Sequence, residues 1–169
     1  MIIYEGKGKS YPSERFCKRV EQQFAEHGLH CVGNCYYFGY DFSVETSENY
    51  HKVSWHFLRH QTTQNGIFIP RNAHEYAECT ITVHGLNPLH NFRLKRPFFR
   101  FLSNFSSGET PFYLKGTIPN SLTETMLGLL RNYDVKRLEV KNGVLKCTFF
   151  DEPEQPILLA KTLRELIPD

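Results

Sequence analysis

Between His90 and Phe101 the chain reads His-Asn-Phe-Arg-Leu-Lys-Arg-Pro-Phe-Phe-Arg-Phe. Arg93, Lys95, Arg96 and Arg100 alternate there with Phe92, Phe98, Phe99 and Phe101, and no Asp or Glu occurs between Glu78 and Glu109. Cations neutralise carboxylates or phosphates, and open rings stack on unpaired bases. The composition therefore suits a surface for an acidic protein, an anionic lipid or a single-stranded nucleic acid. It nominates Phe92, Arg93, Lys95, Arg96, Phe98 and Arg100 as binding residues. The competing account makes the Phe residues core and the cations their solvated opposite side, as a strand from Pro97 to Leu102 would arrange them.

A second group is His27, His30, Cys31 and Cys35, four metal-ligating side chains within nine residues. Zinc takes about four such donors in a tetrahedron, and the Cys31-x3-Cys35 spacing is compatible with one knuckle of a site. No second knuckle follows. Buried free thiols, with His27 beside the carbonyls at a helix end, explain the same residues without a metal. Zinc is thus a candidate ligand and no other cofactor is expected; a zinc or thiol enzyme centred on Cys31 and Cys35 is the catalytic alternative.

Two further patterns carry less. Gly6-Lys-Gly-Lys-Ser10 resembles the end of a phosphate loop, but the earlier glycine that lets backbone N–H groups wrap phosphates is replaced by Ile3. His56 and His60 are four apart, which would bring them together on a helix, yet they lie in a stretch with strand periodicity. Gly-x-Ser-x-Gly is absent.

The elements that position these residues follow from periodicity and punctuation. A helix is expected over residues 13–27, after Pro12, with Phe16, Cys17, Val20 and Phe24 on its apolar side and Gly28 past its end. Residues 29–41 read as one strand with Gly39 as a bulge, and 43–50 as a loop. Lys52 to Arg59 alternates with Val53, Trp55 and Phe57 inward. Residues 67–69, after Asn65-Gly66, form a short strand. Residues 76–84 alternate with Ala77, Cys79, Ile81 and Val83 inward. Phe112 to Ile118 is a strand, and Ser121-Leu-Thr-Glu124 reads as a capping box opening a helix with Leu122, Met126, Leu129 and Leu130 on one face. Asn142-Gly143 suits a type I′ turn between strands spanning Val135 to Phe150. Pro156 starts a last helix with Ile157, Leu159, Leu163 and Leu166 buried.

A chain of 169 residues is expected to make a single domain, with a body over 1–110 and a closing strand-helix-hairpin-helix unit over 111–169. The expected fold class is α+β: a largely antiparallel sheet of about six to eight strands with three amphipathic helices on one face or end. Twenty Lys and Arg against 18 Asp and Glu leave a charge of +2, so global charge does not point to nucleic acid. Five cysteines at scattered spacing argue against a disulfide framework and for a cytoplasmic setting. Met1-Ile-Ile-Tyr4 is too short for a signal-peptide core, and no run is apolar enough to cross a membrane; a soluble portion of a larger protein is the alternative. The functional expectation is a non-catalytic interaction module whose basic aromatic surface binds an acidic protein partner. A single-stranded nucleic-acid binder is the alternative.

Overall fold

The structure, a computed structural model, describes residues 1–5, 11–50, 52–60, 76–85, 91–97, 104–107, 110–150 and 153–165. Among the described residues it contains ten strands, largely antiparallel, and three α-helices. The class is α+β as expected, but the strand count exceeds six to eight. The chain forms two compact units, Met1–Cys79 and Thr80–Asp169.

In the first unit, β1 (Ile2–Tyr4) lies parallel to β2 (His30–Tyr36), and α1 (Pro12–Ala25) connects them. Parallel neighbours need such a crossover, because a tight turn cannot reverse twice. Glu21 of α1 anchors β1: its carboxylate accepts from the Ile2 backbone N–H at 3.2 Å and from the Tyr4 hydroxyl. Strand β2 then pairs antiparallel with β3 (Gly39–Glu45), and β3 with β4 (Val53–His60). Helix α1 begins at Pro12, buries Cys17, Val20 and Phe24, and is followed by Gly28 at φ +69°. Phe24 meets Trp55 edge-on at 5.1 Å and Phe57 at 6.1 Å, while Phe16 stacks on Tyr40 at 4.7 Å. Val53, Trp55 and Phe57 point inward as the alternation requires.

Residues 29–41 are a hairpin rather than one strand. Tyr36 pairs with Gly39, so the whole connection is Tyr37-Phe38, two aromatics with no glycine or asparagine to announce a turn. Tertiary contacts hold it. The Tyr37 ring stacks on Tyr11 at 4.6 Å, and its carbonyl accepts from the Ser13 hydroxyl at 3.4 Å. Strand β3 continues through Glu45, and a short 3-10 turn covers Glu48–Tyr50, where a loop was expected. Gly33 sits at φ +151° with no room for a side chain, since a Cβ there would lie 2.3 Å from the Asp41 carbonyl oxygen.

Strand β5 (Tyr76–His84) carries the chain into the second unit and buries Cys79, Ile81 and Val83. The second unit also contains β6 (Phe92–Lys95), β7 (Phe105–Ser107), β8 (Thr110–Gly116), β9 (Val135–Lys141) and β10 (Val144–Phe149). The last five run side by side in the order β10, β9, β6, β8, β7. Both β8 and β9 are antiparallel to β6, so they are parallel to one another. Helix α2 (Asn120–Asn132) makes the crossover between them. Its apolar stripe of Leu122, Met126, Leu129 and Leu130 is buried as expected. The capping box is not used: Pro119 takes the cap position without a side-chain hydrogen bond, which leaves Ser121 inside the first turn. Asn142 and Gly143 both adopt positive φ, 51° and 75°, as a type I′ turn demands. Helix α3 (Pro156–Glu165) starts at its proline and buries Ile157, Leu159 and Leu163. The expected strand at 67–69, most of that at 97–102, and Leu166 lie outside the described residues.

The aromatic cluster around Phe24 leads to a stability expectation. Phe24→Ala leaves a cavity between Trp55 and Phe57, and urea unfolding should report a loss of about 3–5 kcal/mol; a loss under about 1 kcal/mol would show that these rings do not hold α1 to the sheet.

Candidate functional site

Register and alternation together decide where the basic residues go. In β6, Phe92 and Leu94 are buried, Arg93 is half-buried and Lys95 is exposed. Leu94 pairs with Leu114 on one side and Leu138 on the other; Phe92 pairs with Gly116 and Val140. These are the inner rows. The outer rows follow necessarily, because successive side chains point to opposite faces. One runs Lys115, Arg93, Glu139, Lys146 across β8, β6, β9 and β10; the next runs Tyr113, Lys95, Arg137, Thr148. Lys141, next outward along β9, extends the face toward the Asn142-Gly143 turn.

The outer face of these four strands thus carries Arg93, Lys95, Lys115, Arg137, Lys141 and Lys146 against one carboxylate, Glu139. Glu139 bridges two of the six. It accepts from Arg93 through Nε at 2.9 Å and through Nη2, and its other oxygen accepts from Arg137. Burial works to raise the carboxyl, but the hydrogen bonds and charges of Arg93 and Arg137 prevail and hold it below its ordinary value. Tyr113, 41% exposed, is an open ring on the same face. At the end of the face, Asn91, Arg93, Lys115, Glu139, Lys141 and Asn142 surround a cavity of about 370 Å³.

Of the nominated binding residues, Arg93 and Lys95 belong to this face. Phe92 does not: it is 4% exposed and packs in the core, so its ring is closed to a base. Arg96 is turned to a structural task. Its Nε donates to the Val135 carbonyl at 3.0 Å, Nη2 pairs with Asp134, and the guanidinium lies over Phe150 and Phe112, at 5.1 and 5.9 Å from the ring centroids. Phe98 and Arg100 lie outside the described residues. Lys115 and Tyr113 escaped sequence reading because Lys115 lies 20 positions beyond Lys95 and only strand pairing unites them. The alternation of β8 was the available signal.

The His and Cys group is not assembled into a metal site. Cys31 and Cys35 share the buried side of β2, His30 points the other way, and His27 sits exposed beyond α1. No group of three or more ligating side chains is placed to hold a metal ion among the described residues. His30 and Cys31 do line a cavity of about 600 Å³ with Glu21 and Glu45, but the thiol is poorly suited to attack. Burial first, and then the Glu21 charge, push Cys31 up to about 12. Burial also raises Cys35, against opposing hydrogen bonds from Cys17 and Tyr11. His56 meets Asp41 at 2.8 Å on the exposed side of the first unit, away from the core as its strand position implied. The Gly6 to Ser10 stretch lies outside the described residues.

Comparison with protein families, curated proteins and solved structures finds no match. Functional inference therefore rests on the geometry above.

Two measurements probe this geometry. The Glu139 bridge stabilises only while the carboxylate is ionised. Its folded pKa is depressed, so its contribution is complete above the unfolded carboxylate range, about 4.3, and fades as pH falls through the lower folded value. The stability difference between the native chain and Glu139→Gln should be at most about 1 kcal/mol near neutrality, because the arginines are partly exposed, and should vanish in strong acid. A difference that grows on acidification would refute the bridge. The second concerns the cysteines, all five of which are free and buried. A disulfide reagent should label none rapidly in the folded protein and all five after denaturation; fast native labelling of Cys31 or Cys35 would restore the thiol alternative.

Proposed function

We propose that this protein is a non-catalytic interaction module that binds an acidic segment of a protein partner on the outer face of β6, β8, β9 and β10. The carrying observation is the charge arrangement: six cations on one exposed sheet face with a single carboxylate among them. Clustered like charge costs self-repulsion, and a complementary anion relieves it. The antiparallel ladder fixes the spacing, while the long Lys and Arg side chains adapt to the contour of an extended acidic chain. A reducing compartment such as the cytoplasm suits five free thiols. The second reading is a single-stranded nucleic acid on the same face, favoured by the open Tyr113 ring beside Lys95. It ranks lower because stacking platforms ordinarily present several open rings, and Phe92 is buried.

Fluorescence anisotropy with a labelled oligoglutamate peptide tests the proposal. Binding should weaken markedly between low and moderate salt, and Lys95→Glu with Arg137→Glu and Lys146→Glu should reduce affinity about tenfold or more. Glu139→Gln should instead tighten binding severalfold by freeing two guanidinium groups. Tighter binding of an unstructured oligonucleotide than of the peptide would transfer support to the second reading, and salt-insensitive binding would exclude both.

A further inference from the structure

We infer that the cavity beside the Asn142-Gly143 turn receives a phosphate group carried by the acidic partner segment, an inference that rests on the docking reading above. The cavity lies where β6 enters the sheet. Lys115 and Gly116 of β8 form one side, Lys141 and Asn142 the other, and Arg93 and Glu139 line it between them. Its surroundings are built from backbone held in place. The Asn142 N–H donates to Asn91 Oδ1 at 3.0 Å, joining the hairpin turn to the start of β6. Gly116, at φ +92°, approaches so closely that a Cβ would lie 2.5 Å from the Asn91 carbonyl oxygen. The three cations are therefore mounted on strand ends that cannot drift apart without disturbing this packing.

The charge count at the cavity distinguishes a phosphate from a carboxylate. Lys115, Arg93 and Lys141 line it, and Glu139 is the one acidic group in the lining. Glu139 engages Arg93 through Nε and Nη2. Against three cations Glu139 leaves two positive charges in the lining, and a single carboxylate from outside would neutralise only one of them. A phosphate carries close to two charges and three strong acceptor oxygens near neutrality. It can accept from Lys115, Lys141 and the remaining N–H groups of Arg93 while Glu139 keeps its own hydrogen bonds. The cavity volume, about 370 Å³, is in the range of small-ligand sites. The occupant is thus a phosphorylated side chain within an acidic segment, whose carboxylates continue along Lys95, Arg137 and Lys146.

Three labelled acidic peptides identical except at the central position, carrying Ser, Glu or phosphoserine, test this with the full chain. The phosphoserine peptide should bind about tenfold tighter than the Glu peptide. Lys115→Gln with Lys141→Gln should remove that gain, so that the phosphoserine and Glu peptides bind the variant alike, and the two Lys→Arg changes should preserve it. Unchanged circular dichroism and urea midpoint would establish that the variants fold. Equal affinity for the Glu and phosphoserine peptides would overturn the phosphate site and leave acidic docking intact, as would a gain that survives the double Gln variant. Absence of binding by all three would overturn both. Displacement of the phosphoserine peptide by a lower concentration of single-stranded oligonucleotide would assign the cavity to a nucleic-acid backbone and overturn the protein partner.

Discussion

The pairing of β6 between β8 and β9 is the constraint from which the second unit's surface follows. Leu94 must sit beside Leu114 and Leu138 to complete an inner apolar row. Once that row is set, the pleat leaves Arg93 and Lys95 no choice of side. A slip of one residue would turn both cations toward the core and Phe92 and Leu94 toward water. Burying such charges without partners costs far more than a strand of four residues recovers. The core therefore specifies the basic face, and the placement of charge needs no separate determinant.

That face is made tolerable by two different arrangements of arginine. Arg93 and Arg137 share Glu139, which spreads one negative charge between two strands and relieves repulsion at the centre of the outer row. Arg96 lies just past the end of β6, where its backbone N–H bonds to the Lys136 carbonyl. Its guanidinium joins the Val135 carbonyl, Asp134 and the Phe150 ring. Planarity and several directional donors allow one arginine to serve all three, which the single ammonium of a lysine could not. Residues three apart in sequence thus have unrelated roles: Arg93 faces the cavity, and Arg96 closes the junction between β6 and the start of β9.

Much of this was legible from local chemistry. Asn142-Gly143 announced its hairpin because few other dipeptides accept positive φ twice, and Pro12, Gly28 and Pro156 bounded their helices for equally local reasons. The stripe of α2 and the alternation of β4 and β5 were readable because burial imposes a period. What was not legible depends on tertiary contact. Tyr37-Phe38 makes a turn only because Tyr11 and Ser13 hold it, and β1 is three residues whose strand character comes from β2 and Glu21. The Ser121 capping signal misled because Pro119 starts the helix first. The basic composition near Arg93 was visible, but its union with the cations of β9 and β10 and with Lys115 required knowing that β6 lies between β8 and β9.

The same register bears on the proposed docking reading of these residues. A catalytic centre needs a group whose protonation can change near neutrality and whose reactive form can reach substrate. Burial pushes the Cys17, Cys31, Cys35 and Cys79 thiols up, the wrong way for this, and among the described residues the one carboxylate on the basic face is held below its ordinary value by two arginines. Its charge is fixed, so it cannot carry a proton to and from a substrate at ordinary pH. A rigid strand ladder suits recognition of an anion, because it sets the spacing of the cations before any partner would arrive. On the proposed docking reading Glu139 keeps its hydrogen bonds to Arg93 and Arg137 and lowers the net positive charge of the row, so a ligand of high charge density or with many linked carboxylates would gain most from the cations that remain. On that reading, discrimination among acidic partners would arise from one residue at the centre of the row, while the surrounding lysines would govern encounter.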